Sequence, residues 1–199
     1  GLWLCYSANF SSGWGGTTFK SSPVGSRYSM CLQEMRILAP DEAQQASSRP
    51  ENIARDATIT VSSTHAGYSS SGAIDGVVGG YPGDIHNEWA SNGEQATAML
   101  RLTWSTPQPI NRVTLFDRPN NLDQVTSGML VFSDGSTLVT GALPDDAKQG
   151  LEVNFPQKTI KWLMFVITGV KTETQNIGLS EIQVFKATRA GFPDANQAP

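Results

Sequence analysis

The sequence predicts an all-β fold: an eight-stranded antiparallel jelly-roll β-sandwich with a β-appendage at its N-terminus. Three observations lead to this fold class. Runs of alternating or β-branched apolar residues recur along the chain, short clusters of glycine, proline, asparagine and aspartate separate these runs, and no segment has a convincing helical period. Eight short antiparallel strands in one domain are typical of a two-sheet jelly roll.

The strands are predicted over residues 52–187 from alternation and β-branched content. In chain order they are Ala57–Ser62, Ala98–Trp104, Arg112–Phe116, Gly128–Phe132, Thr137–Thr140, Leu151–Phe155, Trp162–Thr168 and Ser180–Lys186. The dipeptide Asp134-Gly135 between two of these runs predicts a hairpin turn. Trp104 and Trp162 fall on strands, and we interpret both as core or sheet-surface residues.

The chain of 199 residues is long enough for one domain with additional segments. We place the jelly roll at 52–187, a region long enough to bury an independent core. Residues 1–38 form the β-appendage, 39–51 a polar linker that contains two prolines, and 188–199 a polar tail without a strand pattern.

The appendage resembles the end of the main domain. Leu2–Tyr6 is similar to Lys161–Phe165, and Cys31–Leu38 is similar to Gly178–Phe185. Two interpretations stay open: residues 1–38 are the last two strands of a preceding domain of the same type, or the likeness is a coincidence between ordinary β-segments. Two strands alone do not make a stable core, so we expect them to pair with the main domain, an upstream domain or neighbouring copies.

Composition excludes several classes of protein. The formal net charge is -4 and no cluster of lysine and arginine occurs, which argues against binding to nucleic acid. No apolar run approaches the ~20 residues that cross a bilayer, so we expect no membrane insertion. Hydrophobic residues make up 39% of the chain and charged residues only 16%, which excludes a fully disordered chain.

Cys5 and Cys31 are the two cysteines of the chain. One interpretation is a disulfide, which indicates an oxidising compartment and a secreted, extracellular protein. The alternative is a pair of buried free thiols.

Catalytic signatures are missing from the sequence. It has no Gly-x-Ser-x-Gly elbow for a nucleophile and no His-x-x-x-His or Cys-x-x-Cys metal motif, and Gly79-Gly80 lacks the lysine of a phosphate-binding loop. A pair of carboxylates for glycoside hydrolysis needs only a suitable spatial separation, so sequence leaves that chemistry open. We predict that the chain is not an enzyme.

Several motifs together resemble the discoidin (coagulation-factor C-type) family. In the order of that family they are Asn52–Ser63, Gly72–Gly76, Asn87–Ser91, Ile110–Val113, Phe132–Ser136 and Gly178–Val184. Leu115–Asn120, followed by Asp123–Thr126, is similar to a microbial branch of the superfamily whose modules are often attached to secreted carbohydrate-active enzymes. The resemblance covers 52–187 and implies a galactose-binding-like jelly roll that binds carbohydrate without catalysis.

The resemblance also implies a structural calcium ion. In carbohydrate-binding relatives the aspartate of Ala-x-Asp-Gly and the glutamate of the last strand ligate calcium, and the matching residues here are Asp75 and Glu181. Asp84 and Glu88 could add further oxygens, because calcium takes six to eight of them. The alternatives are that Asp75 is a turn residue bonded to nearby backbone N–H groups and that Glu181 is a partly buried acid paired with Arg118 or Arg55.

The glycan site is predicted on the loops at one end of the sandwich, because the strands are committed to the core. An aromatic ring against the apolar face of a sugar, with polar groups that reach its hydroxyls, is the usual arrangement. The candidate residues are Tyr68, Tyr81, His86, Trp89, Asp117, Arg118, Asn120 and Asp123. Some of these residues have an alternative role. Trp89 could be a packing residue, Tyr81 could cover the calcium loop, Asp117 could form an ion pair with Arg118, and His86 could simply be solvated.

The predicted function is a non-catalytic, calcium-stabilised carbohydrate-binding domain that targets a larger secreted protein or particle to a glycan or polysaccharide. The alternative is a structural domain that assembles an extracellular or viral surface array. A lipid-headgroup function is ranked last, because it requires apolar side chains at the loop tips and basic rims, which the loops are not expected to carry.

Overall fold

The computed structural model describes residues 50–187, and this region is all-β, as predicted. Its eight strands are β1 (Thr58–Val61), β2 (Trp89–Ala90), β3 (Met99–Phe116), β4 (Val125–Phe132), β5 (Thr137–Thr140), β6 (Leu151–Val170), β7 (Gly178–Leu179) and β8 (Glu181–Lys186). Short 3-10 turns lie at Ala54–Asp56, Ser70–Ile74 and Ile85–Asn87. No helix in the described part of the chain is long and apolar enough to cross a membrane.

All strand pairs are antiparallel. The larger sheet has the order β1-β3-β6-β4-β5, and β8 pairs with the second half of β3; β2 and β7 form a separate two-stranded sheet. The first half of β3 pairs with β1 and the end of β6, whereas its second half pairs with β8 and the start of β6.

The paired strands β3 and β6 bend, so that both strands contribute to the two layers of the β-sandwich. The pairing shifts register between Thr103 and Gln108 and again between Ile110 and Arg112, and such irregularities bend strands. Leu100 from the first half of β3 and Leu115 from the second half lie in one buried core. The β-sandwich class is therefore confirmed.

The strand boundaries differ from the prediction because two breaks are absent. Ala98–Trp104 and Arg112–Phe116 were predicted as separate strands but belong to β3, and Leu151–Phe155 and Trp162–Thr168 both belong to β6. Prolines between these segments resemble turn signals, but a proline is tolerated at a bulge, and Pro109 pairs within the ladder. The two-residue strands β2 and β7 are too short to show a period.

The core is built from the inward residues of both layers. Trp104 is buried in it, and its indole nitrogen donates to the carbonyl oxygen of Ile53 at 2.8 Å. Trp162 lies half-buried on the outer face of the larger sheet. Both positions agree with the prediction of a core or sheet-surface role.

The two ends of the described domain meet. The backbone nitrogen of Ile53 donates to the carbonyl oxygen of Val184, and the nitrogen of Lys186 donates to that of Glu51. The predicted appendage at 1–38, the linker up to residue 49, the tail at 188–199 and the cysteines Cys5 and Cys31 lie outside the described residues.

Candidate functional site

An ionic cluster lies buried where the loops after β3 and before β2 meet. We call Glu88, Arg118 and Asp123 the Arg118 cluster. The guanidinium donates from Nε and Nη2 to the two carboxylate oxygens of Glu88 at 2.9 and 3.0 Å, and from Nη1 to Oδ2 of Asp123 at 2.7 Å. The side chains of Arg118 and Glu88 are 2% and 0% exposed. The ion pairs compensate the buried charged groups for the hydration that they lose, and they hold the two loops together.

Every N–H of the Arg118 guanidinium has an acceptor. Beyond its two carboxylate partners, Nη1 donates to the carbonyl oxygen of Asn176 at 2.5 Å and Nη2 to the hydroxyl of Tyr68 at 3.4 Å. A guanidinium has five N–H donors, and all five are engaged here. Burial alone would lower the pKa of Arg118, but the hydrogen bonds and charge of Glu88 hold it above its usual value.

The loop after β3 is held by carboxylates that accept backbone N–H groups. Asp117 accepts from the nitrogens of Arg118 and Val125, at 3.0 and 3.1 Å. Asp123 accepts through Oδ1 from the nitrogens of Gln175 and Asn176, at 2.6 and 3.1 Å. These bonds join the start of β4 and the segment before β7 to the loop after β3. Several independent hydrogen bonds therefore fix the conformation of this loop.

Asp117 is fully buried, and burial raises its pKa to about 8 against the hydrogen bonds from Val125 and Arg118, which lower it. In the unfolded chain the same group titrates near 3.8. Between these two values the folded state binds more protons than the unfolded state, so the free energy of unfolding falls as the pH rises through this window.

We therefore expect the domain to be more stable against urea at about pH 5 than at about pH 8, by up to ~1.4 kcal/mol per pH unit from this one group. Asp117→Asn does not titrate and should show a flatter pH dependence, whatever its absolute stability. Equal slopes in the two proteins would contradict the assignment of the effect to Asp117.

Two tyrosines lie beside the Arg118 cluster. The backbone nitrogen of Tyr81 donates to Oε1 of Glu88 at 2.7 Å, while its side chain is 51% exposed. Gly80 precedes it because a Cβ there would collide with the Glu88 carboxylate. The ring of Tyr68 is half-buried, 5.3 Å from Cζ of Arg118, and His65 packs edge-on against it at 5.6 Å.

The remaining predicted glycan residues occupy different environments. His86 is exposed on the 3-10 turn Ile85–Asn87, where its backbone nitrogen donates to the capping carboxylate of Asp84. Asn120 is half-buried; its amide donates to Oδ2 of Asp123, and its oxygen accepts from the nitrogen of Leu122. Trp89 is wholly buried, and its indole nitrogen donates to the carbonyl oxygen of Ser63 at 2.8 Å.

The structure thus divides the predicted glycan site in two. Four of its residues are buried, and their polar atoms are used inside the domain: Trp89, Asp117, Arg118 and Asp123. Four others reach the surface, and we call them the rim: Tyr68, Tyr81, His86 and Asn120. A linear sequence marks polar loop residues but does not say which of them turn inward.

Sequence reasoning missed two partners of the predicted residues. His65 packs on Tyr68 within the same loop, and Asn176 supplies a carbonyl to Arg118 from a distant loop. Both belong to ordinary polar loops, and the contact of Asn176 depends on the tertiary structure. The expectation that the loops carry no apolar side chains at their tips is also wrong, because Val77, Val78 and Leu122 are exposed.

The four predicted calcium ligands do not form one group. Glu88 belongs to the Arg118 cluster and Asp84 caps a 3-10 turn, so over residues 50–187 the structure does not bring these two side chains into one group with Asp75 and Glu181. Over residues 50–187 no three side chains of histidine, cysteine, aspartate or glutamate are grouped as a metal site. Any calcium site here would need backbone carbonyls as ligands.

Asp75 and Glu181, by contrast, are neighbours. Oε2 of Glu181 accepts from the nitrogen of Gly76 at 3.2 Å, and Oε1 is buried without a hydrogen-bond partner among the described residues. Burial, and secondarily the charge of Asp75, raise the pKa of Glu181 to about 8. A buried carboxylate oxygen without a donor, beside a second carboxylate, fits a hard cation such as calcium.

The loop that follows Asp75 is also held by a hydroxyl that the sequence did not single out. Ser180 accepts from the nitrogen of Gly79 at 2.8 Å and donates to the carbonyl oxygen of the same residue at 2.7 Å. The loop is therefore fastened to the last strands at Gly76 and at Gly79, on the way to the rim residue Tyr81.

Residues 52–185 match the family described as "Domain of unknown function (DUF7402)". A comparison with curated proteins found no match. Among solved structures, the lectin domain of lectinolysin complexed with Lewis B antigen is 24% identical and has a TM-score of 0.55, with 69% of this chain and 98% of that chain covered.

Two bacterial modules show the same likeness. Chitosan-binding module 1 of a chitosanase/glucanase from Paenibacillus sp. IK-5 is 22% identical, with a TM-score of 0.53 and coverage of 67% of this chain and 98% of that one. A fucose binding module of Streptococcus pneumoniae is 14% identical, with a TM-score of 0.57 and coverage of 70% and 98%. The predicted galactose-binding-like, discoidin-like fold is confirmed by these likenesses.

Proposed function

We propose that this chain, which belongs through residues 52–185 to the family described as Domain of unknown function (DUF7402), is a non-catalytic carbohydrate-binding domain. It would target a larger secreted protein or particle to a glycan. Solved structures of the same fold are named for lectin, chitosan-binding and fucose-binding domains, which supports this choice among the functions of the fold.

The observation that carries the proposal is an exposed aromatic ring on a rigid base. The side chain of Tyr81 is half in solvent, while its backbone is bound to Glu88 and, through Glu88, to Arg118. A sugar presents an apolar C–H face that packs on such a ring, and a ring held in place loses little freedom on binding. The Arg118 cluster would therefore position the rim without itself contacting the glycan.

The polar part of recognition would come from the other rim residues. The hydroxyl of Tyr68, the imidazole of His86 and the amide of Asn120 are donors or acceptors of the kind that vicinal hydroxyls require. The contact is small and polar, so we expect weak binding at a single site and stronger binding to repeating polysaccharide through several copies.

The same geometry supports binding without turnover. Glu88 and Asp123, two carboxylates near the rim, are buried and paired with Arg118, so neither is exposed to a bound sugar. We therefore assign Glu88 and Asp123 to the scaffold and not to glycoside hydrolysis.

Tyr81→Ala is expected to lower the affinity for glycan at least tenfold. Because the ring is exposed, the same change should alter the stability of the domain by no more than ~0.5 kcal/mol. Binding is measured on a glycan array that includes galactose, fucose, Lewis b and chitosan oligosaccharides, followed by titration calorimetry of any positive glycan. Tyr81→Phe keeps the ring and should retain most of the affinity.

Two results would contradict parts of this proposal. The first, absence of binding to every glycan by the natural chain, would count against the function; the second, equal binding by the natural chain and Tyr81→Ala, would count against the rim as the site. The second result would leave a glycan-binding domain whose site lies away from the rim.

Calcium is proposed as a structural ion held between the loop after Asp75 and the last strand. The support is Oε1 of Glu181, which is buried beside Asp75 and has no hydrogen-bond partner in the described range 50–187. Those two side chains would hold the ion, and nearby backbone carbonyls would complete its oxygen shell. Bound calcium would neutralise the buried carboxylate of Glu181 and the partly exposed carboxylate of Asp75, and it would stabilise the folded state by mass action.

Removal of calcium by EDTA is expected to lower the melting temperature by roughly 5–10 °C relative to excess calcium, the shift expected when the ion saturates its site. Glu181→Gln should abolish this response, whereas Glu152→Gln, a matched change at an exposed glutamate, should preserve it. A natural chain that melts at the same temperature in EDTA and in excess calcium would exclude the ion.

Secretion is the remaining part of the proposal, and its support is the pair Cys5 and Cys31 together with the low content of charge. A disulfide between them would change the mobility of the chain on non-reducing electrophoresis and protect both thiols from alkylation. Two reactive thiols in protein isolated from its natural compartment would argue against it.

A further inference from the structure

The guanidinium of Arg55 lies at the edge of the proposed calcium site. A Cβ at Gly76 would collide with this guanidinium, so the positive group packs directly on the backbone between Asp75 and Val77. The nitrogen of the same glycine donates to Oε2 of Glu181 at 3.2 Å. Gly76 is therefore in contact both with a positive group and with one of the two carboxylates of the site.

The short turn that carries Arg55 is fixed to β8, the strand that begins with Glu181. The backbone nitrogen of Ile53 donates to the carbonyl oxygen of Val184 at 2.8 Å. Oδ1 of Asn52 accepts from the nitrogen of Val184 at 3.0 Å. The backbone of Arg55 is thus held beside the strand that supplies Glu181, and its position near the site follows from the fold.

Arg55 forms no ion pair with another residue of the range 50–187, although two carboxylates are near. Its side chain is exposed. Burial raises the pKa of Glu181, and the charge of Arg55 opposes this rise. The guanidinium therefore acts on the carboxylate through space, by a Coulomb interaction that needs no hydrogen bond.

The absence of a direct bond leaves the carboxylate available to a second cation. Oε1 of Glu181 is buried, and no donor from the described part of the chain reaches it. A guanidinium bonded to this oxygen would satisfy it, as the guanidinium of Arg118 satisfies both oxygens of Glu88. Arg55 thus supplies positive charge to the site without filling the position of a metal ion.

We propose that Arg55 sets the calcium affinity of the site formed by Asp75 and Glu181, as a countercharge whose role the ion takes over; this inference rests on the proposed calcium ion. Without the ion, the guanidinium offsets part of the charge of the two carboxylates. With the ion bound, the same guanidinium repels it. Calcium affinity depends on the charge of the ligands, so two carboxylates beside an arginine should bind weakly, with a Kd on the order of 10⁻⁴–10⁻³ M, as in extracellular modules.

The test is a calorimetric titration of the full chain with calcium chloride at about 50 mM salt. Arg55→Met removes the charge and should lower the Kd for calcium about three- to tenfold. This difference should shrink at about 0.5 M salt, because salt screens the charge of an exposed arginine.

Thermal melting gives a second readout that does not depend on the titration. In EDTA, Arg55→Met should melt below the natural chain, because two carboxylates lose their countercharge. In excess calcium the two melting temperatures should converge, because the ion supplies the missing charge. A variant that melts lower by the same amount in both conditions would show that Arg55 only packs on the loop, and it would overturn the inference.

Two control variants separate the position of the charge from its loss. Arg112→Met removes the same charge from an arginine that pairs with Glu152, and it should leave the Kd for calcium unchanged. Arg55→Lys keeps the charge beside the site, and it should bind calcium almost as the natural chain does. Equal tightening in Arg55→Met and Arg112→Met would overturn the inference, and so would equal tightening in Arg55→Met and Arg55→Lys.

The outcomes distinguish this inference from the calcium proposal. A natural chain that binds calcium no more weakly than Arg55→Met would overturn the role of Arg55 alone. Calcium binding by Arg55→Met and not by the natural chain would support that role and exclude the ion from the natural chain. Binding by neither protein would overturn both.

Discussion

Arg118→Met is expected to lower the free energy of unfolding by about 3–5 kcal/mol, the largest effect of any change considered in this domain. Methionine keeps much of the volume of arginine but leaves Glu88 and Asp123 as buried carboxylates without a countercharge. Their oxygens lie within 3.0 Å of the guanidinium in the natural chain. The loops that carry Tyr68 and Tyr81 would lose their common support, so glycan binding should fall together with stability.

The matched control is Arg112→Met. Arg112 also pairs with a glutamate, at 3.1 Å from Glu152, but these side chains are 25% and 48% exposed. Exposed ion pairs contribute at most ~1 kcal/mol, so this variant should unfold in urea almost as the natural chain does. Equal losses in the two variants would show that burial of the Arg118 cluster has no special importance.

Gly178→Ala is expected to destabilise the domain by about 2–3 kcal/mol or more, because an added methyl group has no space. A Cβ at Gly178 would collide with the carbonyl oxygen of Trp89 across the β2–β7 pair. The colliding atom belongs to the backbone and not to the end of a flexible side chain. The collision can therefore be relieved only if β2 and β7 move apart. Separation would displace Glu88 from Arg118.

Gly141→Ala is the control for this change. A Cβ at Gly141 meets no atom within 4 Å, so the substitution should alter stability by less than ~0.5 kcal/mol. Both variants are compared by urea denaturation, and glycan affinity is measured on the folded fraction. If Gly178→Ala were as stable as Gly141→Ala, the close contact between β2 and β7 would not be a feature of the folded protein.

The segment Asp117–Asp123 shows how far a sequence predicts a site. Its mixture of charge and amide identified it as a functional loop, and the resemblance to carbohydrate-binding modules agreed. The sequence could not show that Asp117 and Arg118 turn inward, because that depends on Glu88 and Asn176, which are distant in the chain. The exposed ring of Tyr81 became the better candidate only after burial was known.

The calcium residues show the same limit. Asp75 and Glu181 were selected from motifs, and the fold makes them neighbours. Glu181 accepts a hydrogen bond from the nitrogen of Gly76, the residue after Asp75, although 105 positions separate Gly76 and Glu181 in the chain. Asp84 and Glu88 were added only as further oxygen donors, because calcium takes six to eight of them. An acidic residue type does not show where its carboxylate points, since each can be captured by the nearest donor.

The amino-acid sequence by itself determined the class of fold, since alternation, β-branched residues and turn residues are local signals that each strand carries independently. It also determined which loops hold polar and aromatic groups. The tertiary structure alone decided that β3 and β6 run unbroken through the bend, and that Arg118 is buried and Tyr81 exposed. These properties depend on which distant segments are neighbours, and the free energy of burial and pairing acts between such neighbours and not along the chain.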